Sequence, residues 1–520
     1  MQQKKLILLY KKYLPLLLVG IFSFFINYYY GFIGVMPMDN FVLYNGGYRV
    51  LNGYIPFNDY WLVTGPLLDY LNALFFFING TNWKTYIVHS SLINLIISVV
   101  SYLLFVELGL QKKFSIIYSI LFSVLFYPTV GAPFVDHHAT FFLIIAFYLF
   151  IFGIVKKNNL FIYFILFFFV LSFLSKQTPA VYGLLGFSLI LIFYLLNNLK
   201  ENIKILKPLI FGSIFSILFL VLFFIFSKIN FLNFYEQYIL YAKTIGDYRF
   251  STFNFDFFGT VAEYKFILIL LIILTFLLKR LDRTRNFTNT MTILTIIVLS
   301  GLLIFHQYYS FNQNFIFFLI PLLSGFIHVF SKKDLKSKFI LALTILICIY
   351  STTKYHIRFN EHRKFNELEK VDLSKAIDAN LLSKDLKGLK WITHRYPNDP
   401  QYEIDNLKKV MEIISQDKST KTLITNYQFI ASAIKIYDFS PNQWHHPSVS
   451  FPLKNQKYYN NYKNFFIKSL KKNNIDYIYE TFEIKNSIVE IVLDNSCFSK
   501  EKINDVLTKF MLRKDCKDFR

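Results

Sequence analysis

Charge is scarce in this chain, and acid is scarcer than base. Of 520 residues 17% are charged, with 33 Asp and Glu against 55 Lys and Arg. A soluble protein of this length carries about a quarter charged residues and far less Phe, so a wholly soluble fold is excluded. Cysteine is nearly absent. Cys348 lies within an apolar run, and Cys497 and Cys516 fall near the end. A disulfide between the last two is permitted in an oxidising compartment, but two cysteines make only a weak case. No GxGxxG or GxxxxGK[ST] run occurs, so nucleotide binding has no motif behind it. No internal repeat suggests paired transporter halves. The first apolar run lacks a small-residue cleavage site and is long enough to stay as an anchor.

What is present is apolar. Hydrophobic residues make up 54% of the chain and aromatics 20%. Runs such as "PLIFGSIFSILFLVLFFIF" approach the ~20 residues that cross a hydrocarbon core. When several such runs recur, only helices satisfy their own backbone groups in lipid. The reading is a polytopic α-helical membrane protein with about eleven spans, near 14–35, 84–107, 114–130, 138–155, 159–175, 178–196, 208–227, 264–278, 290–305, 315–330 and 339–354. The net charge of +22 points to no nucleic acid, because its distribution fits a membrane. Alternate loops hold the cations: Lys4 to Lys12, Lys112 and Lys113, Lys156 and Lys157, Lys200 to Lys207, Lys279 to Arg285, and Lys332 to Lys338. The positive-inside rule makes these loops cytoplasmic. The protein is expected in the plasma (inner) membrane, with its N-terminus inside and its C-terminus outside. Residues 1–355 form the membrane domain, including a long first outer loop at 36–83. Residues 356–520 form an extracytoplasmic α/β domain, denser in charge. There "LKWITHRYP", "KTLITNYQFI", "IDYIYE" and "SIVEIVLD" read as strands, and "EIDNLKKVMEIISQ" as a helix completing a βαβ unit.

The polar side chains able to do chemistry gather on the outer face. The first outer loop carries Asp39, Arg49, Asp59 and Asp69; later outer segments carry Asp136, His137 and His138, then Lys176, Lys243 and Arg249, then His306, Gln307, Gln313 and Asn314. Asp39 reads either as an ordinary interfacial acid or as a general base, its carboxylate partly desolvated beside lipid. Lys176 is either a snorkelling lysine at a helix end or a cation for a phosphate. "DHHA" at 136–139 reads as a divalent-metal contact, a sugar or phosphate contact, or a helix N-cap by Asp136. Adjacent histidines at a helix start face different ways, so joint ligation by both is disfavoured. No cofactor is fixed by the sequence. Trp444, His445 and His446 read as an aromatic platform for a glycan or as a folded loop. Phe41, Tyr44, Tyr48 and Leu51 recur at helical spacing, and a second short helix is expected after Gly65-Pro66.

"MDNFVLYNGGYRVLNGYIPFNDYW" with "GPLLDYLNALFFFING" resembles the first outer loop of the GT-C glycosyltransferases, in the branch of protein O-mannosyltransferases, lipid A aminoarabinose transferases and their bacterial relatives. "SKQTPAVYGLLG" resembles that family's lysine-containing segment. Where the family carries a second acid after the first Asp, this chain has Asn40. The resemblance implies transfer of a sugar from a polyprenyl-phosphate donor to a hydroxyl of a glycan, lipid or protein. On that reading Asp39 is the base and Lys176, with Arg249 and Lys243 behind it, meets the donor phosphate; Arg49, Asp59, Asp136, His137, His306 and Gln307 are taken from the residues themselves as substrate contacts, with solvated loop as the alternative for His306 and Gln307. A secondary transporter, a flippase for lipid-linked saccharides and a non-catalytic scaffold are the competing readings.

Overall fold

Helix dominates the computed structural model, which describes residues 2–127, 131–282, 287–310, 316–331 and 335–519. Among these, eight helices are long and apolar enough to cross a bilayer: Tyr13–Tyr30, Trp83–Glu107, Val135–Lys156, Gln177–Asn197, Leu199–Ser227, Phe257–Arg280, Phe287–Ser310 and Ser337–Asn366. The other three expected spans are helical but shorter: Lys112–Phe126, Asn159–Ser175 and Leu319–Phe330. The last has 12 residues. At 1.5 Å per residue it reaches about 18 Å, short of a hydrocarbon core of about 30 Å. The chain is a polytopic helical membrane protein with an α/β portion toward its C-terminus. Arg283, Arg285, Lys332, Lys333, Gln313 and Asn314 lie outside the described residues.

Two compact units are distinguished. The first comprises residues 1–31, 87–221 and 253–365. Its centre is Val135–Lys156, buried on nearly every side from Val135 to Ile154. A helix apolar all round has no face for water and belongs inside. It packs against Ile165–Ser175, Gln177–Asn197 and Phe287–Ser310. Leu206–Ser227 instead leaves Ile210, Phe211, Ile214 and Ile217 exposed, the surface expected to face lipid.

The second unit comprises residues 32–86, 222–252 and 366–520. Its strands are β1 (Ile377–Asp378), β2 (Lys390–Trp391), β3 (Lys421–Ile424), β4 (Tyr477–Thr481), β5 (Phe498–Asn504) and β6 (Leu507–Leu512). The larger sheet has the order β3-β4-β6-β5. β3 and β4 are parallel, with Lys421 opposite Tyr477, and helix Tyr459–Lys472 lies in their crossover. Helix Pro400–Gln416 forms as expected, but it does not join two strands of one sheet, since β2 before it and β3 after it belong to different sheets. "SIVEIVLD" is helical at Ile488–Val492, not a strand. Ser487 accepts from the Glu490 N–H and so starts that helix. The β5–β6 hairpin, which turns at Asp505-Val506, was not foreseen, because neither strand alternates cleanly between buried and exposed residues. Cys497 and Cys516 are disulfide-bonded and bracket this hairpin.

Residues 36–83 fold as the sequence suggested, into helices Pro37–Leu51 and Leu67–Asn79. Pro37 at the first helical position supplies the fixed φ that a helix start needs. Asn40 explains its own identity: its Oδ1 accepts from the Met36 N–H at 2.8 Å and caps the start of the helix. The paired glycines set how closely the two helices approach. A Cβ on Gly46 would lie 2.1 Å from Asp69 Oδ1, and one on Gly47 2.5 Å from Asn72 Cβ. Gly46→Ala is therefore expected to lower stability by about 1–3 kcal/mol, as overpacked cores do, seen as a reduced unfolding temperature in detergent. The same unit buries Trp61 and Tyr241 with Ile424, Phe451, Tyr462 and Phe510 in one apolar cluster.

Candidate active site

In the first unit, Lys176 is the single residue between helix Ile165–Ser175 and helix Gln177–Asn197, extended at φ −155°. This break turns its side chain onto a buried carboxylate. Lys176 Nζ donates to Asp136 Oδ1 at 2.6 Å and to Oδ2 at 2.7 Å. His306 Nε2 lies 3.4 Å from Asp136 Oδ1. The side chains of Asp136 and His306 are 3% and 1% exposed, while that of Lys176 is 18% exposed. An ammonium has three N–H donors; two meet Asp136, and among the described residues the third has no partner. Asp136 sits in the first turn of its helix, whose N-cap is Phe134, so the N-cap reading of Asp136 is corrected. The carboxylate turns to the ion pair instead.

The two adjacent histidines diverge, as helical geometry requires. His137 packs on Tyr127, with ring centroids 4.6 Å apart. His138 Nε2 lies 3.1 Å from His89 Nε2, and its Nδ1 meets the Tyr127 hydroxyl and the Phe134 carbonyl. Among the described residues no group of three or more His, Cys, Asp or Glu is arranged to hold a metal. Gln307, next to His306, is 1% exposed, and neither its amide nitrogen nor its oxygen has a hydrogen-bond partner there.

In the second unit, Asp39 lies in the first turn of Pro37–Leu51 and is half-buried, where the helix N-terminus favours a negative charge. Asp59 accepts from Lys472 Nζ at 2.6 Å and from the Ile55 N–H at 2.8 Å. Arg49 is 1% exposed. Its Nε and Nη2 donate to Asp438 Oδ2 at 2.9 and 2.6 Å, and its Nη1 to the Asn442 carbonyl. Asn45 Nδ2 donates to the same Asp438 oxygen at 2.5 Å. Asp69 accepts from the Tyr60 hydroxyl at 2.8 Å and from Gln443 Nε2 at 2.9 Å. "DFSPNQ" at 438–443 thus clamps the first loop through charges buried on both sides. Asp438 and Gln443 were not singled out from sequence, because nothing in a lone Asp or Gln marks its distant partner. Lys243 and Arg249 lie on helix Ala242–Ser251, exposed and half-buried respectively.

Burial raises several carboxyls of this unit, among them Glu403 and Asp385, and two of them strongly. Asp69 is pushed up to about 7, with Tyr60, Gln443 and Arg49 opposing the shift. Glu480 is likewise pushed up to about 7 by burial, against hydrogen bonds from Ser487 and the Val489 and Ile488 N–H groups. Each holds its proton more tightly folded than unfolded. The stability they supply is therefore complete below about pH 4 and is lost as pH rises through about 7. The unfolding temperature is expected to fall between pH 5 and 8, and Asp69→Asn with Glu480→Gln to flatten that slope.

A cleft of about 370 Å³ opens at the start of helix Pro37–Leu51. Residues 32–35 run beside residues 390–392: the Lys390 N–H donates to the Phe32 carbonyl, and the N–H groups of Gly34 and Val35 donate to Lys390 and Ile392 carbonyls. This pairing carries Met36–Met38 alongside Thr393–Arg395. Asn426, Glu483 and Lys485 complete much of the wall. His445 and His446 also line it. His445 is buried and its pKa is pushed down to about 3 by burial and by Arg49. It is a neutral group of the wall.

No family model matches the chain, and no curated protein matches it. Among solved structures it is similar to the archaeal oligosaccharyltransferase AglB of Archaeoglobus fulgidus, solved with an inhibitory peptide and a dolichol-phosphate. Identity is 12% and the TM-score 0.43, over 92% of this chain and 70% of that one.

Proposed function

We propose that this protein is a membrane glycosyltransferase that moves a sugar from a polyprenyl-phosphate carrier to an acceptor hydroxyl at the outer face of the membrane. The observation that carries the reading is the Lys176 ammonium, held on both oxygens of buried Asp136 with one N–H left over. Asp136 and His306 fix that ammonium in place, and its remaining donor meets a phosphate oxygen of the carrier. Asp39 takes the proton of the acceptor hydroxyl. The acceptor oxygen attacks the anomeric carbon in line, the bond from that carbon to the phosphate oxygen breaks, and the carrier departs as its phosphate dianion. The configuration inverts. A phosphate whose second pKa is near about 6 leaves without a strong general acid. What lowers the barrier is a preorganised cation where charge grows. Lys243 and Arg249 are secondary candidates for the same phosphate. Arg49 and Asp59 take structural roles in this reading, since each already meets an opposite charge.

A transporter would place ionisable groups mid-span. Here Asp136 is in a first turn, Lys176 is at a helix junction and His306 is near a helix end, which favours chemistry at the interface over passage through the bilayer. The test is release of labelled sugar from a polyprenyl-phosphate donor by the purified protein in vesicles. Asp39→Asn is expected to lower turnover by about 10²–10⁴ with little change in unfolding temperature, the range for loss of a general base. Unchanged turnover would remove Asp39 from the mechanism, and transport without transfer would remove the reading.

A further inference from the structure

The cleft beside helix Pro37–Leu51 has no assigned role, and its lining is unusual in its balance. Two cations, Arg395 and Lys485, face two carboxylates, Glu367 and Glu483. His445 is kept neutral by burial, and His394 lies 3.7 Å from Glu367. With its fixed charges cancelling, the cleft has no electrostatic reason to hold a phosphate or an ammonium. It is rich, however, in groups that donate and accept. Arg395 gives one N–H to the Glu483 carbonyl at 3.3 Å, and no carboxylate is paired with its guanidinium among the described residues. Glu483 Oε1 is saturated by Thr425, Thr481 and the Asn426 N–H. Glu483 Oε2 and the neighbouring Asn426 Oδ1 are enclosed and have no donor. A buried acceptor without a donor is costly, and both of these residues line the cleft. Met36, Pro37, Met38, Ile484 and Pro447 supply an apolar wall.

We infer that this cleft binds a neutral, hydroxyl-rich ligand, a sugar ring. Its hydroxyls donate to Asn426 and Glu483 and accept from Arg395 and Lys485, and its C–H face lies on the Met36–Met38 wall. A hydroxyl both donates and accepts, so it suits a cleft that offers both and carries no net charge. Taken as the acceptor site, three residues or fewer from Asp39 along the chain, this rests on the transfer reading; taken as a sugar-binding cleft, it does not.

The experiment is a ligand-observed NMR titration of the full-length protein in detergent with the methyl glycosides of mannose, glucose and galactose. Inorganic phosphate and methylammonium are run alongside, and no donor is added. At least one glycoside is expected to saturate, at an affinity unmoved by salt because no charge is neutralised. Asn426→Ala and Arg395→Gln are each expected to weaken it about tenfold, the loss of one good polar contact, with unfolding temperatures unchanged. Glu483→Gln, which keeps the shape of the floor, is expected to weaken it as well. Failure of every glycoside to saturate overturns the inference. So does tighter binding of phosphate or methylammonium, or an affinity untouched by all three variants. Saturable glycoside binding in a protein that transfers no sugar would uphold the cleft and reject the proposed reaction.

Discussion

Arg49→Ala is expected to destabilise the protein by about 3–5 kcal/mol, because it strands the buried Asp438 carboxylate, which has no other cation paired with it among the described residues. Asn45 and the Ser440 N–H still reach Asp438, but neither carries a charge to offset its desolvation. The measurement is the unfolding temperature in detergent, with yield after purification as a second readout. The control removes both charges. Arg49→Met with Asp438→Leu fills the space with apolar atoms and is expected to recover most of the loss, since a buried ion pair is worth little over a well-packed apolar replacement. If Arg49→Ala alone behaved as the native protein, the clamp between the first loop and residues 438–443 would not hold the unit together.

Lys176→Ala is expected to reduce sugar transfer by about 10²–10³, the usual loss when one preorganised donor to a developing charge is removed. The variant also takes the ammonium away from the buried Asp136 carboxylate, so a fall in stability is expected and must be separated from the loss of chemistry. Lys176→Met with Asp136→Asn removes both charges together. It is expected to restore the unfolding temperature and leave turnover at the level of Lys176→Ala. Lys176→Arg keeps a cation but replaces three radial donors with a planar fork; it is expected to fold normally and recover only part of the rate. Recovery of full turnover in the methionine–asparagine pair would show that the ammonium has no part in the reaction.

The two experiments address residues that looked alike in sequence. Both cations lay on the side with few cations, and both read as ligands for a substrate. In the fold, Arg49 is enclosed with all its contacts inside the unit, whereas Lys176 keeps an exposed fraction and a donor to spare. Nothing in the spacing of the two residues separates them. What separates them is whether a carboxylate arrives from a distant part of the chain and covers the group, as Asp438 does from 389 residues away.

The local signals were legible where they were local. Asp39, Pro37 and Asn40 start a helix within four residues of one another, and the glycine pair is visible as a pair. The short helix at Ile488–Val492 reads as a strand in sequence because so short an apolar run satisfies either period, and the β5–β6 hairpin carries no sequence reading at all. Of the cleft, only His445 and His446 stand out in sequence: Met36, Arg395, Asn426 and Glu483 are ordinary residues in four separate stretches, and a parallel pairing between residues 33–35 and 390–392 is what carries the first two together.

The amino-acid sequence by itself determined that this chain crosses a membrane many times and where most of its helices run. Burial of apolar surface and internal pairing of backbone groups are imposed by composition over each run of residues, with no help from the rest of the chain. The tertiary structure decided which of the few polar side chains became clamps and which stayed available. A charge in a low-dielectric interior takes its role from the partner brought to it, and that partner is set by packing across hundreds of residues.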